Sequence, residues 1–134
     1  MPFVRIDMTP QFTPEMQIRI ADAVHAALVE AVGIPADDRF QVVSAHHAGI
    51  IHDRNYLGIA RSDQIVMIEI HLSFGRTLEI KRALFAAIRD RLVAVGVRGE
   101  DIMVHLMETE MVNWSFGNGI AQYADRMPPH LAAR

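Results

Sequence analysis

There is no cysteine among the 134 residues, which rules out disulfides and thiolate chemistry and leaves the redox compartment unmarked. No basic run or stripe occurs, and the formal charge is −3, so the electrostatic footprint of a nucleic-acid partner is missing. Long apolar runs are missing too. The longest, IVMIEIHL at 65–72, carries Glu69 and is far too short to span a bilayer. The first residues lack the basic segment and apolar run of a signal peptide. Gly-rich phosphate loops, serine elbows and P-loop lysines are also absent. These gaps lead us to expect a soluble, cytoplasmic protein with no nucleic-acid or membrane partner. What is present is a chain 51% hydrophobic and 22% charged, long enough for one domain over 1–134 with one core.

The chain repeats itself. In FVRIDM (3–8), Val4, Ile6 and Met8 alternate with Arg5 and Asp7, the period of a strand. Ile68, Ile70 and Leu72 alternate the same way 64 residues later. A helix follows each strand. The first runs from about Thr13 to Val32, with Thr13 as N-cap, Pro14 at the first helical position and Glu15 near the positive helix end. Its apolar stripe is Met16, Ile20, Val24 and Leu28. The second starts after Thr77, with stripe Ile80, Leu84, Ile88 and Leu92. Both stop at a glycine, Gly33 and Gly96. Turn residues and a second strand follow in GIPADDRFQVV (33–43) and GVRGEDIMVHL (96–106). Each half, about 1–64 and 65–134, is therefore β-α-β, an α/β (α+β) fold.

Such a unit makes a right-handed crossover with parallel strands. Two units predict a four-stranded sheet with two helices on one face. The other face needs cover, which implies an oligomer. Residues 44–63 read as irregular, with a short strand near Gly49–Ile51. Phe116-Gly117-Asn118-Gly119 reads as a tight turn or hairpin, and Pro128-Pro129 with the Ala-rich end reads as an arm or frayed tail.

Four places can carry chemistry. If Met1 is removed, the Pro2 nitrogen becomes a free secondary amine, tunable by burial and neighbouring charge; otherwise Pro2 is only a stiff strand start. Asp38, where the first helix hands over to its second strand, is either a turn cap or a partner for Pro2, because parallel strands bring their starts together. Arg76, before the second helix, is either a solvated loop residue or the holder of an anion such as a carboxylate. Trp114, Phe116 and Tyr123 either pack an interface or wall an apolar pocket. His46, His47 and His52 fit no standard zinc spacing, so no metal is expected. His71 and His105 alternate with apolar residues on a polar or interface face.

Together these positions resemble the tautomerase superfamily over essentially the whole chain, and within it the malonate semialdehyde decarboxylases. The resemblance is carried by MPFVRIDM, IPADDRFQVV, LGIAR at 57–61 and above all WSFGNGIAQY at 114–123. It implies a homotrimer of β-α-β repeats with sites near subunit boundaries and no cofactor. It also implies Pro2 as catalytic group with Asp38 as partner, Arg76 on a substrate carboxylate, and Trp114, Phe116 and Tyr123 as a hydrophobic wall. The family pattern has two arginines separated by one residue in this loop. Here the loop reads Ser73-Phe74-Gly75-Arg76, so Phe74 stands at the first position; Arg76 alone can still hold a carboxylate with fewer hydrogen bonds, and Arg39 and Arg61 are the candidate substitutes.

The implied reaction is decarboxylation of malonate semialdehyde to acetaldehyde and CO₂, with hydration as a side reaction. Loss of CO₂ leaves an enolate whose growing charge needs a donor. Protonated Pro2 serves by hydrogen bond, or neutral Pro2 by forming an iminium. The alternatives are a keto–enol tautomerase, a 3-haloacrylate dehalogenase, or a non-catalytic oligomeric protein if Met1 is retained.

Overall fold

Strand β1 (Phe3–Met8) leads through Thr13 into helix α1 (Pro14–Val32), and strand β2 (Phe40–Ala45) follows. The second half repeats this as β3 (Val66–Ser73), α2 (Leu78–Ala94) and β4 (Ile102–Thr109), with a one-turn helix α3 (Gln122–Asp125) after it. The structure is a computed structural model and describes residues 1–127; the Pro128-Pro129 tail lies outside them.

The sheet order is β2-β1-β3-β4. Each half contributes a parallel pair, and the halves meet antiparallel along β1 and β3. Val4 opposes Ile70 and Ile6 opposes Ile68, so a pseudo-twofold axis runs between the central strands. This is the tandem β-α-β fold expected from the repeat.

Alternation explains why the helices lie on one face. Val4, Ile6, Met8, Ile68, Ile70 and Leu72 are buried against Ile20, Val24, Leu28, Leu84, Ile88 and Leu92. Each such side chain is worth about 1.5–3 kcal/mol when buried. The two helix starts match in detail. Thr13 Oγ1 accepts from the Met16 N–H and Thr77 Oγ1 from the Ile80 N–H, both at 3.2 Å. α1 ends on Gly33 in the left-handed region, as expected. α2 ends one residue earlier than its glycine: Val95 is the cap, and Gly96 follows with φ 102°.

Phe3, Arg5, Phe40, Val42, Glu69, His71, Met103, His105 and Met107 occupy the alternate positions, on the face away from the helices. The segment at 114–116 reaches that face beside Phe3 and Phe40, while Val42, Met103 and Met107 stay exposed. One expectation is corrected and one is narrowed. Gly49–Ile51 forms no strand, because residues 46–55 leave the sheet once His46 N–H has bonded the Met8 carbonyl. Residues 116–119 form a turn and no hairpin, since the chain enters α3 where a returning strand would be. Among the described residues no helix is long and apolar enough to cross a membrane.

Candidate active site

The parallel register pairs Phe3 with Phe40, so the starts of β1 and β2 are neighbours. The antiparallel register pairs Phe3 with His71, so the end of β3 arrives at the same edge. Three separate segments thus deliver Pro2, Asp38 and Arg76 to one corner of the sheet. All three are buried.

Local bonds hold the corner in shape. The turn before β2 is closed by Asp38 N–H on the Pro35 carbonyl at 3.0 Å and by His25 Nε2 at 2.7 Å from the Ala36 carbonyl. Asp38 Oδ2 lies 3.8 Å from the Met1 amine. Arg76 Nη1 donates to the Ser73 carbonyl at 2.5 Å, which folds the guanidinium back over the end of β3. Phe74, two residues before it, is exposed, and its N–H continues the β3–β4 ladder to the Thr109 carbonyl at 3.0 Å.

The aromatic segment after β4 closes the corner. Trp114 stacks on Phe116 with centroids 5.5 Å apart, and Tyr123 meets Phe116 edge-on at 4.8 Å. Gln122 clasps the intervening turn: its Oε1 accepts from Phe116 N–H at 2.9 Å, and its Nε2 donates to the Gly117 carbonyl at 3.1 Å. A cavity of about 220 Å³ lies between Met1, Pro2, Phe3, Phe40, Trp114, Ser115 and Phe116. The Trp114 indole N–H is shut from water without a hydrogen-bond partner among the described residues, as is the Ser73 hydroxyl.

Charge at this corner is coupled. Burial, the strongest influence, pushes the Met1 amine below its ordinary value; Asp38 pulls it up and Arg76 pushes it further down. Burial likewise raises the Tyr123 phenol above its ordinary value, with Asp38 adding to the rise and Arg76 opposing it. The chain start, Asp38, Arg76 and Tyr123 therefore lie in one electrostatic field.

Neither proposed substitute for the second arginine is at hand. Arg39 is bound to Asp22 and to Gln41 Oε1, each at 2.7 Å. Arg61 holds the carbonyls of Asp53, Tyr56 and Ile59 in the loop after β2. Phe3, Phe40 and Gln122 were not singled out from the sequence. The repeat could have found the first two, because both open strands whose starts must meet.

A larger cleft of about 390 Å³ lies at the opposite end of the sheet, lined by Thr9, His46, His47, His52, Arg54 and Asp63 among others. Four of its polar side chains are already engaged. His46 Nε2 is 2.6 Å from Asp7 Oδ1, His52 Nε2 is 3.1 Å from the Ser62 carbonyl, and Arg54 pairs with Asp63. Among the described residues no group of His, Asp and Glu is arranged to hold a metal ion. We place the candidate site at the smaller cavity, which Pro2 lines and beside which the buried charges act on the chain start.

The family described as "Tautomerase enzyme" matches residues 38–117 in one form and 2–49 in another. The chain is 34% identical to "Probable tautomerase YusQ" of Bacillus subtilis (strain 168), over 91% of this chain and 98% of that one. Among solved structures it is similar to an FG41 malonate semialdehyde decarboxylase inhibited by 3-bromopropiolate, with 44% identity, TM-score 0.87, and coverage of 92% of this chain and 95% of that one. A second malonate semialdehyde decarboxylase gives 30% identity, TM-score 0.84, and coverage of 92% and 96%. With the tandem β-α-β sheet, the proline at the head of β1 and these matches over nearly its full length, the chain belongs to the tautomerase superfamily.

Proposed function

We propose that the protein is a cofactor-independent carboxy-lyase that removes CO₂ from a small 3-oxo acid, malonate semialdehyde being the reference substrate. One observation carries the reading: Asp38 and Arg76 converge, buried, at the nitrogen end of β1 beside an aromatic-walled cavity. The likeness to malonate semialdehyde decarboxylases supports it.

Each group has a physical task. With Met1 gone, Pro2 presents a secondary amine where the Met1 linkage stands. Asp38 favours its protonated form, which donates to the substrate carbonyl. Arg76 holds the carboxylate with a charge-assisted bond so that the breaking C–C bond stands perpendicular to the carbonyl plane. The C1–C2 electron pair moves onto the carbonyl oxygen as an enolate, CO₂ leaves, and C2 then takes a proton to give acetaldehyde. Trp114, Phe116 and Tyr123 keep water from the departing CO₂. Three copies packed through the uncovered sheet face would bury Val42, Met103 and Met107, and we take the assembly to be a homotrimer.

A second reading has its own support. Burial and Arg76 both push the amine at this corner toward neutrality, and a neutral Pro2 would act as the base of a keto–enol tautomerase. The sign of the pH profile separates the two. Decarboxylation by a protonated Pro2 falls as pH rises through the proline pKa; tautomerisation by a neutral Pro2 falls as pH drops through it. The test is CO₂ release from malonate semialdehyde across pH, on protein whose intact mass shows Met1 removed. A rate no faster than buffer, alongside rapid ketonisation of an enol, assigns the protein to tautomerisation.

A further inference from the structure

The candidate cavity has more aromatic wall than a three-carbon acid needs. The chain has nine aromatic residues besides histidine, and four of them, Phe3, Phe40, Trp114 and Phe116, line this one space. Tyr123 backs Phe116 as a fifth. The seven lining residues carry no charged side chain. The charges, Asp38 and Arg76, lie together at the nitrogen end. The arginines that could have brought a second cation are engaged elsewhere, Arg39 by Asp22 and Arg61 by loop carbonyls.

Phe40 is the telling residue. It opens β2 on the uncovered face, is 51% exposed, and still lines the cavity. A half-exposed phenylalanine at a cavity mouth gains most when an apolar group is laid against it. Met1 supplies part of the wall in the untrimmed chain, so its removal enlarges the space by one large side chain.

We infer that the site takes a 3-oxo monocarboxylate whose carbonyl carbon carries an apolar alkyl or aryl substituent, received by Phe3, Phe40 and Trp114, with Phe40 setting the preference. This rests on the decarboxylase reading above. In R–CO–CH₂–COO⁻ the carboxylate meets Arg76 and R extends away from it. The C1–C2 bond breaks, its electron pair becomes the enolate, CO₂ leaves, and one proton taken at C2 gives the methyl ketone R–CO–CH₃. No oxidant or further reactant is required. Each methylene moved from water to this wall raises kcat/KM by about fourfold, up to the length the wall can cover.

The full chain, with Met1 removed and checked by intact mass, is assayed for CO₂ release above the spontaneous rate. The substrates are 3-oxopropanoate, 3-oxobutanoate, 3-oxohexanoate and 3-oxo-3-phenylpropanoate. We expect kcat/KM for the last two to exceed that for 3-oxopropanoate by about tenfold or more. Phe40→Ser should erase most of that gain through KM, its loss on the last two substrates exceeding its loss on 3-oxopropanoate by about tenfold. Equal or reversed preference overturns the inference, and so does a Phe40→Ser loss uniform across substrates. Binding is read separately through Trp114, the one tryptophan in the chain, by its fluorescence with propanoate, hexanoate and 3-phenylpropanoate. If no 3-oxo acid is decarboxylated yet the larger acids bind at least tenfold tighter, the reaction assignment fails and the substituent preference stands. If all three bind alike, the preference falls whatever the chemistry.

Discussion

Asp38 and Asp101 occupy the same place in two copies of one unit, each just before the second strand of its half. Asp101 is 1% exposed and accepts from the Ser62 N–H at 2.7 Å and the Ser62 hydroxyl at 2.6 Å. It ties the turn before β3 to the start of β4. Asp38 instead faces the chain start. The loops before the helices diverge likewise: Phe12 packs in the core where its counterpart, 64 residues on, is Arg76. The strand starts differ most. Pro2 follows directly on Met1, so trimming can free its nitrogen, whereas Val66 is held in mid-chain, where its nitrogen is necessarily an amide. The repeat gives two corresponding corners. On the proposed reading only the first can offer a free amine, once Met1 leaves, and it is the corner that holds the buried cation and the aromatic rings. The other was free to become structural.

The sharpest way to break this asymmetry is to remove the free amine. Extra residues ahead of Pro2, or a retained Met1, should lower kcat by roughly 10²–10⁴-fold, the range for losing a positioned acid or base. Far-ultraviolet circular dichroism and melting temperature should barely move, because the Met1-bearing form already accommodates the residue beside Asp38. Activity unchanged by the extension would remove Pro2 from the chemistry.

The repeat, the helix caps and the core stripes were legible because each rests on local periodicity and capping, which one sequence displays. Thr13 and Thr77 announced both helix starts, and parallel-crossover geometry placed Asp38 near Pro2. The fates of Arg39 and Arg61 were not legible. Which partner an arginine takes depends on side chains such as Asp22 brought close only by tertiary packing. Phe40 escaped notice for a related reason. A phenylalanine at a strand start looks like any strand former until the C-terminal segment folds over it. The missing strand at 49–51 shows the same limit, because Ile50 and Ile51 favour β structure but the pairing edge is simply not there.

Making the second helix-start loop resemble the first sharpens the comparison next. Arg76→Phe places in that loop the residue its counterpart Phe12 already is. A hydrogen bond to a charged group contributes about 1.5–3 kcal/mol, so kcat/KM should fall by roughly 10–100-fold, chiefly through KM. Arg76→Lys should recover part of the loss, since a point charge attracts a carboxylate without the guanidinium's paired donors. A loss confined to kcat would point to a role for Arg76 in the transition state alone.

The smallest effect on activity, and the cleanest test of divided roles, comes from the two aspartates. Asp101→Asn keeps the size of the side chain but turns one acceptor into a donor, facing either the Ser62 N–H or the Ser62 hydroxyl, both of which now donate to it. The hydroxyl can rotate and the N–H cannot, so one bond is retained and one weakened. The charge that also draws Arg98, at 3.6 Å, is lost as well. Together these should destabilise the fold by about 1–3 kcal/mol, read as a lower denaturant midpoint with an unchanged slope, while kcat/KM per folded molecule stays within about twofold. Asp38→Asn should do the reverse. Asp38 raises the affinity of the neighbouring chain-terminal amine for its proton, so removing its charge lowers that pKa. The protonated form is then lost at lower pH, and the alkaline limb of the decarboxylase profile moves toward acid. If the two variants gave the same pattern, both aspartates would be turn caps and the corners would be equivalent after all. If only Asp38→Asn moves the pH profile, the duplicated aspartates have separated, one into holding the turn and the other into setting a proton.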